Sequence, residues 1–253
     1  MSAPYRLTAS TGIDPGDRPY QQDQLCLLPH GRVKGCVLGV IADGMGGLSG
    51  GRLAAEQVML TAQQLFERFD PASEGGVGFL QQLAQEANGV IRLTAVAAEQ
   101  EPHSTLAAFL LLPGGACHFA HVGDSRLYHV RGSELLHRSR DHSLLQSLLD
   151  RGELSAEQAR SDPRSNLLQQ CLGTDPPPLP TLHQTPPLQA GDCLLACSDG
   201  LWQHLHDAEI AAVLQRHSAR TACEMLLREA RRRAHGTGDN LSLIVLKLEA
   251  SPP

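Results

Sequence analysis

The chain contains 253 residues, which is enough for one large domain or two small ones with a substantial hydrophobic core. Its net charge of −6 argues against nucleic acid or an anionic membrane as a partner, because both are polyanions. Residues 1–10 lack the apolar segment of a signal peptide, and the longest apolar runs are too short to span a bilayer. We expect a cytoplasmic, monomeric protein.

The first half of the sequence predicts three strands, two helices and then four more strands. Short glycine-containing turns separate the last four strands, which is typical of an antiparallel meander. The predicted strands are 5–11, 25–28, 35–42, 106–112, 117–122, 126–131 and 135–138, and the helices run from about 52 to 69 and from about 79 to 100.

The second half changes character near residue 142. Residues 142–171 are polar, helix-prone pieces broken by Gly152 and Pro163, as in a surface flap, and the proline-rich residues 176–187 predict an extended surface segment. A strand at 193–197, helices near 207–216 and 221–233, and a last strand at 241–248 follow. Because strands and helices fall in separate blocks, the pattern favours an α+β fold.

The seven cysteines are odd in number and irregularly spaced, and no CxxC pair occurs. Neither a disulfide framework nor a zinc site is therefore indicated. Most of the cysteines lie in apolar runs, where they are expected to pack as small hydrophobic residues.

Four aspartates stand beside glycine at the ends of apolar runs. They are Asp43, Asp124, Asp199 and Asp239. A strand fixes the position of such a carboxylate, and several converging carboxylates repel one another unless a cation lies among them. A single Asp-Gly pair is typical of a simple turn. Four such segments instead favour a site for hard cations such as Mg²⁺ or Mn²⁺, which prefer oxygen ligands.

These segments occur in an order that resembles the protein phosphatase 2C family of metal-dependent serine/threonine phosphatases, in its compact bacterial form. The matching segments are residues 18–23, 43–47, 104–105, 123–126, 141–143, 198–200 and 238–240. The resemblance implies an α-β-β-α sandwich, with two antiparallel sheets flanked by helix pairs. It implies a single domain over residues 1–253 with a flap at about 143–168, and phosphoserine or phosphothreonine proteins as substrates, opposed by a serine/threonine kinase.

The resemblance also implies roles for individual residues. Asp43 would bridge two cations, with Asp199 and Asp239 on one of them. Asp23 and the backbone carbonyl of Gly44 would bind the other. Two or three Mn²⁺ or Mg²⁺ ions per chain are expected, and a water that they activate would attack phosphorus in line.

Two further residues have roles by the same resemblance. Asp124, together with Asp199, matches the position that binds a third cation, and Arg18 matches the arginine that binds the substrate phosphate. The planar guanidinium of Arg18 suits bidentate contact with phosphate oxygens.

The sequence departs from the family pattern at two places. Gln21 stands where the family usually has Asn, which lengthens a side chain in the loop before Asp23. Met45 stands where eukaryotic relatives carry a histidine that is a proposed general acid. The proton donor to the leaving oxygen is therefore left unassigned.

Residues 26–32 match the C-x5-R spacing of cysteine-dependent phosphatases, which is the alternative phosphatase chemistry. Pro29 removes a backbone donor from the loop that would hold phosphate, so a core cysteine and a surface arginine are favoured. Residues 231–233 are three arginines at the end of a predicted helix, and a solvated helix end is favoured there over a phosphopeptide site.

The histidines form two close pairs, His118 with His121 and His204 with His206, without an acid and a third ligand at metalloprotease spacing. We expect them at the surface or partly buried. His142 lies in a family motif, where a structural hydrogen bond and a catalytic role both remain open.

The alternative from another functional class is a catalytically silent relative that binds phosphoproteins as a regulator. The sequence keeps all five aspartates that the resemblance assigns to cations, namely Asp23, Asp43, Asp124, Asp199 and Asp239. This retention favours an active enzyme.

Overall fold

The fold is that of a computed structural model, which describes residues 5–47, 50–98, 101–160 and 162–250. Within these residues the chain forms eleven β-strands and seven α-helices. The strands are β1 (Tyr5–Asp14), β2 (Asp23–Pro29), β3 (Val37–Met45), β4 (His103–Ser104), β5 (Leu106–Leu111), β6 (Cys117–Val122), β7 (Arg126–Arg131), β8 (Glu134–Arg138), β9 (Thr181–Gln184), β10 (Asp192–Cys197) and β11 (Leu241–Ala250). The helices are α1 (Gly50–Arg68), α2 (Gly76–Ala98), α3 (Leu144–Asp150), α4 (Ala156–Arg160), α5 (Asp199–Trp202), α6 (Asp207–Arg216) and α7 (Ala219–Ala234).

The strands form two antiparallel sheets. One sheet has the order β1-β11-β10-β7-β8, and the other has the order β2-β3-β5-β6-β9 with β4 paired to β3. The longest ladder joins β1 to β11 over ten residue pairs, from Tyr5 opposite Ala250 to Asp14 opposite Leu241. The first and last strands of the domain are thus neighbours.

Three hydrophobic clusters show how the layers pack. One lies between α1, α2 and the six-stranded sheet, a second lies between the two sheets, and a third lies between the five-stranded sheet and α6 and α7. Neighbouring residues of β3 illustrate the alternation, because Val40 belongs to the helix-facing cluster and Ile41 to the cluster between the sheets. The predicted α-β-β-α sandwich is therefore confirmed.

The predicted four-strand meander is wrong. β5 pairs with β6 in one sheet, whereas β7 pairs with β8 in the other, and the residues between β6 and β7 carry the chain across. Gly123 makes this crossing with φ of +96°, a conformation that favours glycine. All residues of β5 and β6 are buried, because helices cover one face of these strands and the other sheet covers the opposite face.

The extended proline-rich segment contains a strand that the prediction missed. Thr181–Gln184 forms β9 and pairs with β6 at the edge of its sheet, instead of crossing the surface unpaired. The predicted end of the second helix, at residue 100, lies outside the described residues.

The predicted flap, residues 143–168, contains the short helices α3 and α4. Ser143 caps α3, because its side-chain oxygen accepts a hydrogen bond of 3.2 Å from the Gln146 N–H. An isolated bridge between Ser143 and Leu168 closes the base of the flap. No helix in the described ranges combines the length and apolar character needed to cross a membrane.

Candidate metal centre

Two acidic residues face each other on neighbouring strands. Asp23, the first residue of β2, pairs with Asp43 near the end of β3, and directly paired residues project to the same face of a sheet. Asp43 lies two residues beyond Ile41, whose side chain packs between the sheets. Both carboxylates therefore emerge at one end of the space between the two sheets. Asp23 is fully buried, whereas Asp43 is partly exposed.

The other three predicted aspartates come from the ends of neighbouring segments. Asp124 lies between β6 and β7, Asp199 is the first residue of α5 directly after β10, and Asp239 precedes β11. Asp124 and Asp199 are buried. Strand ends from both sheets thus deliver carboxylates to one edge of the sandwich.

The electrostatics show that the five carboxylates converge. Burial raises the pKa of Asp43 well above its ordinary value, and the nearby charges of Asp23, Asp199, Asp124 and Asp239 raise it further. The pKa of Asp199 is likewise raised, first by burial and then by Asp124, Asp239 and Asp23. Burial is also the main cause of the raised pKa values of Asp23 and Asp124. Such mutual repulsion is what a bound cation would relieve.

Two carboxylate oxygens of this group are buried without a hydrogen-bond partner in the described part of the chain: Oδ1 of Asp23 and Oδ1 of Asp199. Buried polar atoms are normally satisfied, so these oxygens suit ligation of a cation. The donor set, carboxylate oxygens with a backbone carbonyl available, matches the preference of Mg²⁺ and Mn²⁺. The residues present therefore fit a divalent metal.

The carboxylates do not yet form a closed coordination shell. Among the described residues, no three acidic, histidine or cysteine side chains are grouped closely enough to hold an ion as they stand. Other side chains hold some of the oxygens, since Ser198 donates to Asp23 Oδ2 over 2.6 Å and Gln203 donates to Asp199 Oδ2 over 2.7 Å. Binding a cation therefore requires side chains here to rearrange.

The predicted phosphate ligand, Arg18, lies at the exposed margin of the acidic group. One of its terminal nitrogens lies 2.7 Å from Oδ2 of Asp239, and the two side chains are 54% and 32% exposed. The structure thus brings Arg18 to the group, where it pairs with one of the predicted metal ligands.

Asn240 holds the loop that carries Arg18, a role that the sequence prediction missed. Its side-chain oxygen accepts from the Gln22 N–H over 2.7 Å, and its side-chain nitrogen donates to the carbonyls of Pro15 and Tyr20 over 2.8 and 3.0 Å. The motif at 238–240 could have indicated it, because an Asn side chain offers both an acceptor and two donors to nearby backbone groups.

Thr105, which lies between β4 and β5, fixes the backbone of Asp43. The Asp43 N–H donates to Thr105 Oγ1, and the Thr105 N–H donates to the Asp43 carbonyl, both over 2.9 Å. Thr105 Oγ1 also lies 2.7 Å from Ser125 Oγ, next to Asp124. One small polar side chain thereby connects the two parts of the acidic group.

Both departures from the family pattern lie within two residues of a predicted metal ligand. Gln21 accepts a hydrogen bond of 3.0 Å from the Asp23 N–H, so the longer side chain still closes the turn before Asp23. Met45 lies at the end of β3, paired with His103 of β4.

Gly44, whose carbonyl is a predicted ligand, lies against the first turn of α1. A Cβ at Gly44 would stand 1.9 Å from the carbonyl oxygen of Gly51, so no other residue fits. This contact sets the position of the Gly44 backbone relative to α1.

The cysteine-phosphatase alternative is wrong. Cys26 is buried in the hydrophobic cluster beneath α1 and α2, and burial raises the pKa of its thiol to about 12. A nucleophilic cysteine needs a lowered pKa and access to substrate. The core interpretation of this cysteine is therefore confirmed.

The expectation of surface or partly buried histidines is wrong for His118 and His121, which are both buried on β6, an interior strand of its sheet. His204 is partly buried and His206 is exposed. The nearby His142 has structural hydrogen bonds, because its Nδ1 accepts from the Gly123 N–H over 3.2 Å and its Nε2 lies 2.9 Å from Thr181 Oγ1.

The three arginines at the end of α7 form ion pairs instead of a purely solvated helix end. Arg231 pairs with Asp14 and Asp17, Arg232 with Glu229, and Arg233 with Glu209 and Glu229. These contacts anchor α7 to the rest of the domain.

Comparisons with known proteins identify what the chain is similar to. The family described as Protein phosphatase 2C matches residues 19–235. PstP of Mycobacterium tuberculosis, a serine/threonine protein phosphatase, is 31% identical over 217 residues, which cover 83% of this chain and 40% of PstP. The serine/threonine phosphatase stp of Listeria innocua is 31% identical over 216 residues, which cover 82% of this chain and 83% of that protein. The chain thus spans 40% of the length of the first of these relatives.

A solved structure supports the same relationship. The catalytic domain of PstP in complex with two manganese ions superposes with a TM-score of 0.82 at 27% identity, covering 96% of this chain and 98% of that one. The resemblance inferred from the sequence and the two-sheet sandwich are therefore both confirmed.

Proposed function

Because the chain belongs to the protein phosphatase 2C family, we propose that it hydrolyses phosphoserine and phosphothreonine in proteins in a reaction that depends on divalent cations. The observation that carries this proposal is the convergence of five aspartates, in which buried oxygens of Asp23 and Asp199 lack other partners in the described chain. The fit of these residues to hard cations makes Mn²⁺ or Mg²⁺ the proposed cofactor, with two or three ions per chain.

The proposed ligands follow the geometry of the site. Asp43 would contribute to two cations, since its charge interacts with carboxylates from both sheets. Asp199 and Asp239 would join it at one ion, and Asp23 with the Gly44 carbonyl at the other. Asp124 and Asp199 would hold a third. The nearby charge of Asp124, which helps to raise the pKa of Asp199, supports this last assignment.

The chemistry would divide between the cations and the protein. Bound divalent cations would lower the pKa of a coordinated water and offset charge on the phosphoryl oxygens. Arg18 would bind the substrate phosphate with its planar guanidinium, for which its exposed place beside Asp239 is suited. The loop held by Asn240 would keep Arg18 at that margin.

The proposed partners are phosphoprotein substrates and a serine/threonine kinase that opposes the enzyme, by analogy with bacterial members of the family. We propose the cytoplasm as its compartment. All seven cysteines lie in the described part of the chain and are unpaired, which is usual in a reducing compartment.

The proposal is tested by hydrolysis of p-nitrophenyl phosphate with Mn²⁺ or Mg²⁺, and again with excess EDTA. We expect turnover that EDTA abolishes, and we expect Asp43→Ala and Asp239→Ala to lose it by at least about a hundredfold while remaining folded. Circular dichroism establishes folding for each variant.

Cys26→Ser is the matched control, because its side chain lies in the core away from the acidic group and should leave turnover intact. Activity that persists in EDTA and disappears in Cys26→Ser would refute the proposal. A folded protein that binds phosphopeptides without any metal-dependent turnover would instead support the silent regulator.

A further inference from the structure

The backbone around Asp124 is held from several sides. Gly123 turns the chain at a φ of +96°, and a Cβ there would lie 2.7 Å from the Thr105 side chain. The side-chain oxygen of Ser125 lies 2.7 Å from Thr105 Oγ1. The backbone of Asp124 is therefore held in place on both sides, and the position of its carboxylate depends on these neighbours.

Arg126, two residues further on, makes a buried ion pair. Its Nε and one terminal nitrogen donate to the two carboxylate oxygens of Asp141 over 2.8 and 2.7 Å. The two side chains are 11% and 5% exposed. A bidentate pair of this kind fixes both distance and orientation, which a lysine in the same place would not do.

The same guanidinium stacks on the indole of Trp202, with its central carbon 3.5 Å from the ring centroid. The indole N–H donates to the backbone carbonyl of Asp124 over 2.9 Å. Trp202 is the last residue of α5, and Asp199 is the first. One arginine thus connects the segment of Asp124 to the helix that carries Asp199.

Asp141 lies at the root of the flap. The next residue, His142, exchanges two hydrogen bonds with Gly123, one from its own N–H over 2.8 Å and one to its Nδ1 over 3.2 Å. Its carbonyl accepts from the Gln169 N–H over 2.7 Å, on the far side of the flap. His142 therefore links the start of the flap to the segment that holds Asp124, and it also binds the residue that follows the flap.

We propose that Arg126 and Trp202 are positioning residues that hold Asp124 and Asp199 at the separation a third cation requires, and that Asp141 couples this pair to the flap. The inference rests on the proposed function, and goes beyond it by naming residues that bind neither cation nor substrate. Occupancy of the Asp124 site and the position of the flap are coupled as a result, and such coupling acts in both directions.

A second ion pair of β7 serves to separate this role of the Arg126–Asp141 pair from a purely structural one. The opposite end of β7 carries a comparable pair, in which Arg131 donates to both oxygens of Asp192 over 2.6 and 2.8 Å. Arg131 lies on the same strand as Arg126, but its partner is the first residue of β10, at the other end from Asp199. Arg131→Lys is therefore the matched control for Arg126→Lys.

The experiment measures Mn²⁺ binding by equilibrium dialysis after treatment with EDTA, without any turnover. We expect Arg126→Lys and Trp202→Phe to weaken the weakest Mn²⁺ site by about tenfold or more, as loss of supporting residues does around other metals, and to leave the tighter sites unchanged. Arg131→Lys should bind as the wild type does. Asp124→Asn should lose the weakest site, and adding Arg126→Lys to it should cause no further loss.

Hydrogen exchange gives a second measurement. Saturating Mn²⁺ should slow exchange in the flap of the wild type and of Arg131→Lys, but not in Arg126→Lys. If Arg126→Lys does not fold, Trp202→Phe decides the matter.

Wild-type binding in both Arg126→Lys and Trp202→Phe, or an equal loss in Arg131→Lys, would overturn the inference. A wild type that binds only two ions would also overturn it, while leaving the proposed phosphatase intact. A wild type with no Mn²⁺ binding and no metal-dependent turnover would refute the proposed function itself.

Discussion

Asp192 is a buried carboxylate on which opposite influences act. Burial raises the pKa of its carboxyl group, but hydrogen bonds from Arg131 and His129 outweigh burial and hold the pKa well below its ordinary value. The Gln189 N–H adds a further hydrogen bond of 3.0 Å. The folded protein therefore strongly favours the charged form of this side chain.

Asp192→Asn should lower the free energy of unfolding by about 3 kcal/mol at pH 7, because it leaves Arg131 facing a neutral partner. The pKa is lower in the folded than in the unfolded chain, where it is about 4, so the stabilisation is present above that pH and is lost as the pH falls. Urea unfolding of the wild type and of Asp192→Asn between pH 7 and pH 3 measures this stabilisation. The difference between their unfolding free energies should shrink below about pH 4.

Glu224→Gln is the control, since it removes an exposed pair with Arg220 and should change stability by less than about 0.5 kcal/mol. A difference for Asp192→Asn that stays constant down to the lowest pH would contradict the assignment of its lowered pKa.

Arg18→Ala should chiefly raise KM and change kcat less, because it removes a contact with phosphate that is made before and during the reaction. Steady-state kinetics on a phosphopeptide measure both constants. Arg6→Ala provides the comparison, because Arg6 is likewise exposed and paired with an acid, Glu249, on β1 and β11. An unchanged KM in Arg18→Ala would count against phosphate binding by this residue.

Among the secondary-structure elements, β3 and α1 meet at a contact that only glycine permits. Gly44→Ala would place a methyl group 1.9 Å from the Gly51 carbonyl, so one backbone must move. We expect a loss of about 3 kcal/mol in unfolding free energy, together with weaker Mn²⁺ binding, because Gly44 follows Asp43 directly.

Thermal and urea unfolding measure the loss. Gly31→Ala is the control, because no atom lies within 4 Å of its would-be Cβ and it should be close to neutral. Equal stability of the two variants would show that β3 and α1 adapt to the added methyl group.

The sequence was most informative for elements that bury one or both faces over six or more residues. Four of the aspartates were found because each stands just before or just after such an apolar run, and the family motifs placed all five in order. The strand β9 was missed because four residues between prolines carry no periodicity, and only its pairing with β6 defines it.

The meander was predicted wrongly for a related reason. A Gly-Asp-Ser segment looks the same whether it reverses the chain within a sheet or carries it to another. Partners such as Asp141 for Arg126, or Ser198 for Asp23, depend on how distant segments meet, and short-range patterns contain no information about that.

For the whole molecule, the acidic group opposes folding as long as no cation is bound. Saturating Mn²⁺ at about 100 times its dissociation constant should raise the free energy of unfolding by about 2.7 kcal/mol for each site, since the ion binds the folded chain. Differential scanning calorimetry with Mn²⁺ and with EDTA measures the change.

Asp43→Asn should raise stability in EDTA and reduce the gain from Mn²⁺, because it removes a carboxylate that its neighbours repel. Asp70→Asn is the control, because this exposed carboxylate accepts a hydrogen bond within its own loop, from the Ala72 N–H. Its replacement should leave the Mn²⁺-dependent rise in unfolding free energy unchanged. An equal Mn²⁺-dependent rise in unfolding free energy in the wild type, Asp43→Asn and Asp70→Asn would show that Mn²⁺ stabilises the fold at another place.

The pairing of β1 with β11 has a consequence for how the protein is made. Each residue of β1 pairs with a residue of β11 that is synthesised more than 200 positions later, and β11 also lies between β1 and β10. At about 5 to 20 residues per second, the ribosome needs on the order of 10 to 50 s to deliver that partner. The six-stranded sheet with α1 and α2 can assemble earlier, whereas the five-stranded sheet closes only when synthesis has passed residue 250, and β1 needs protection from aggregation until then.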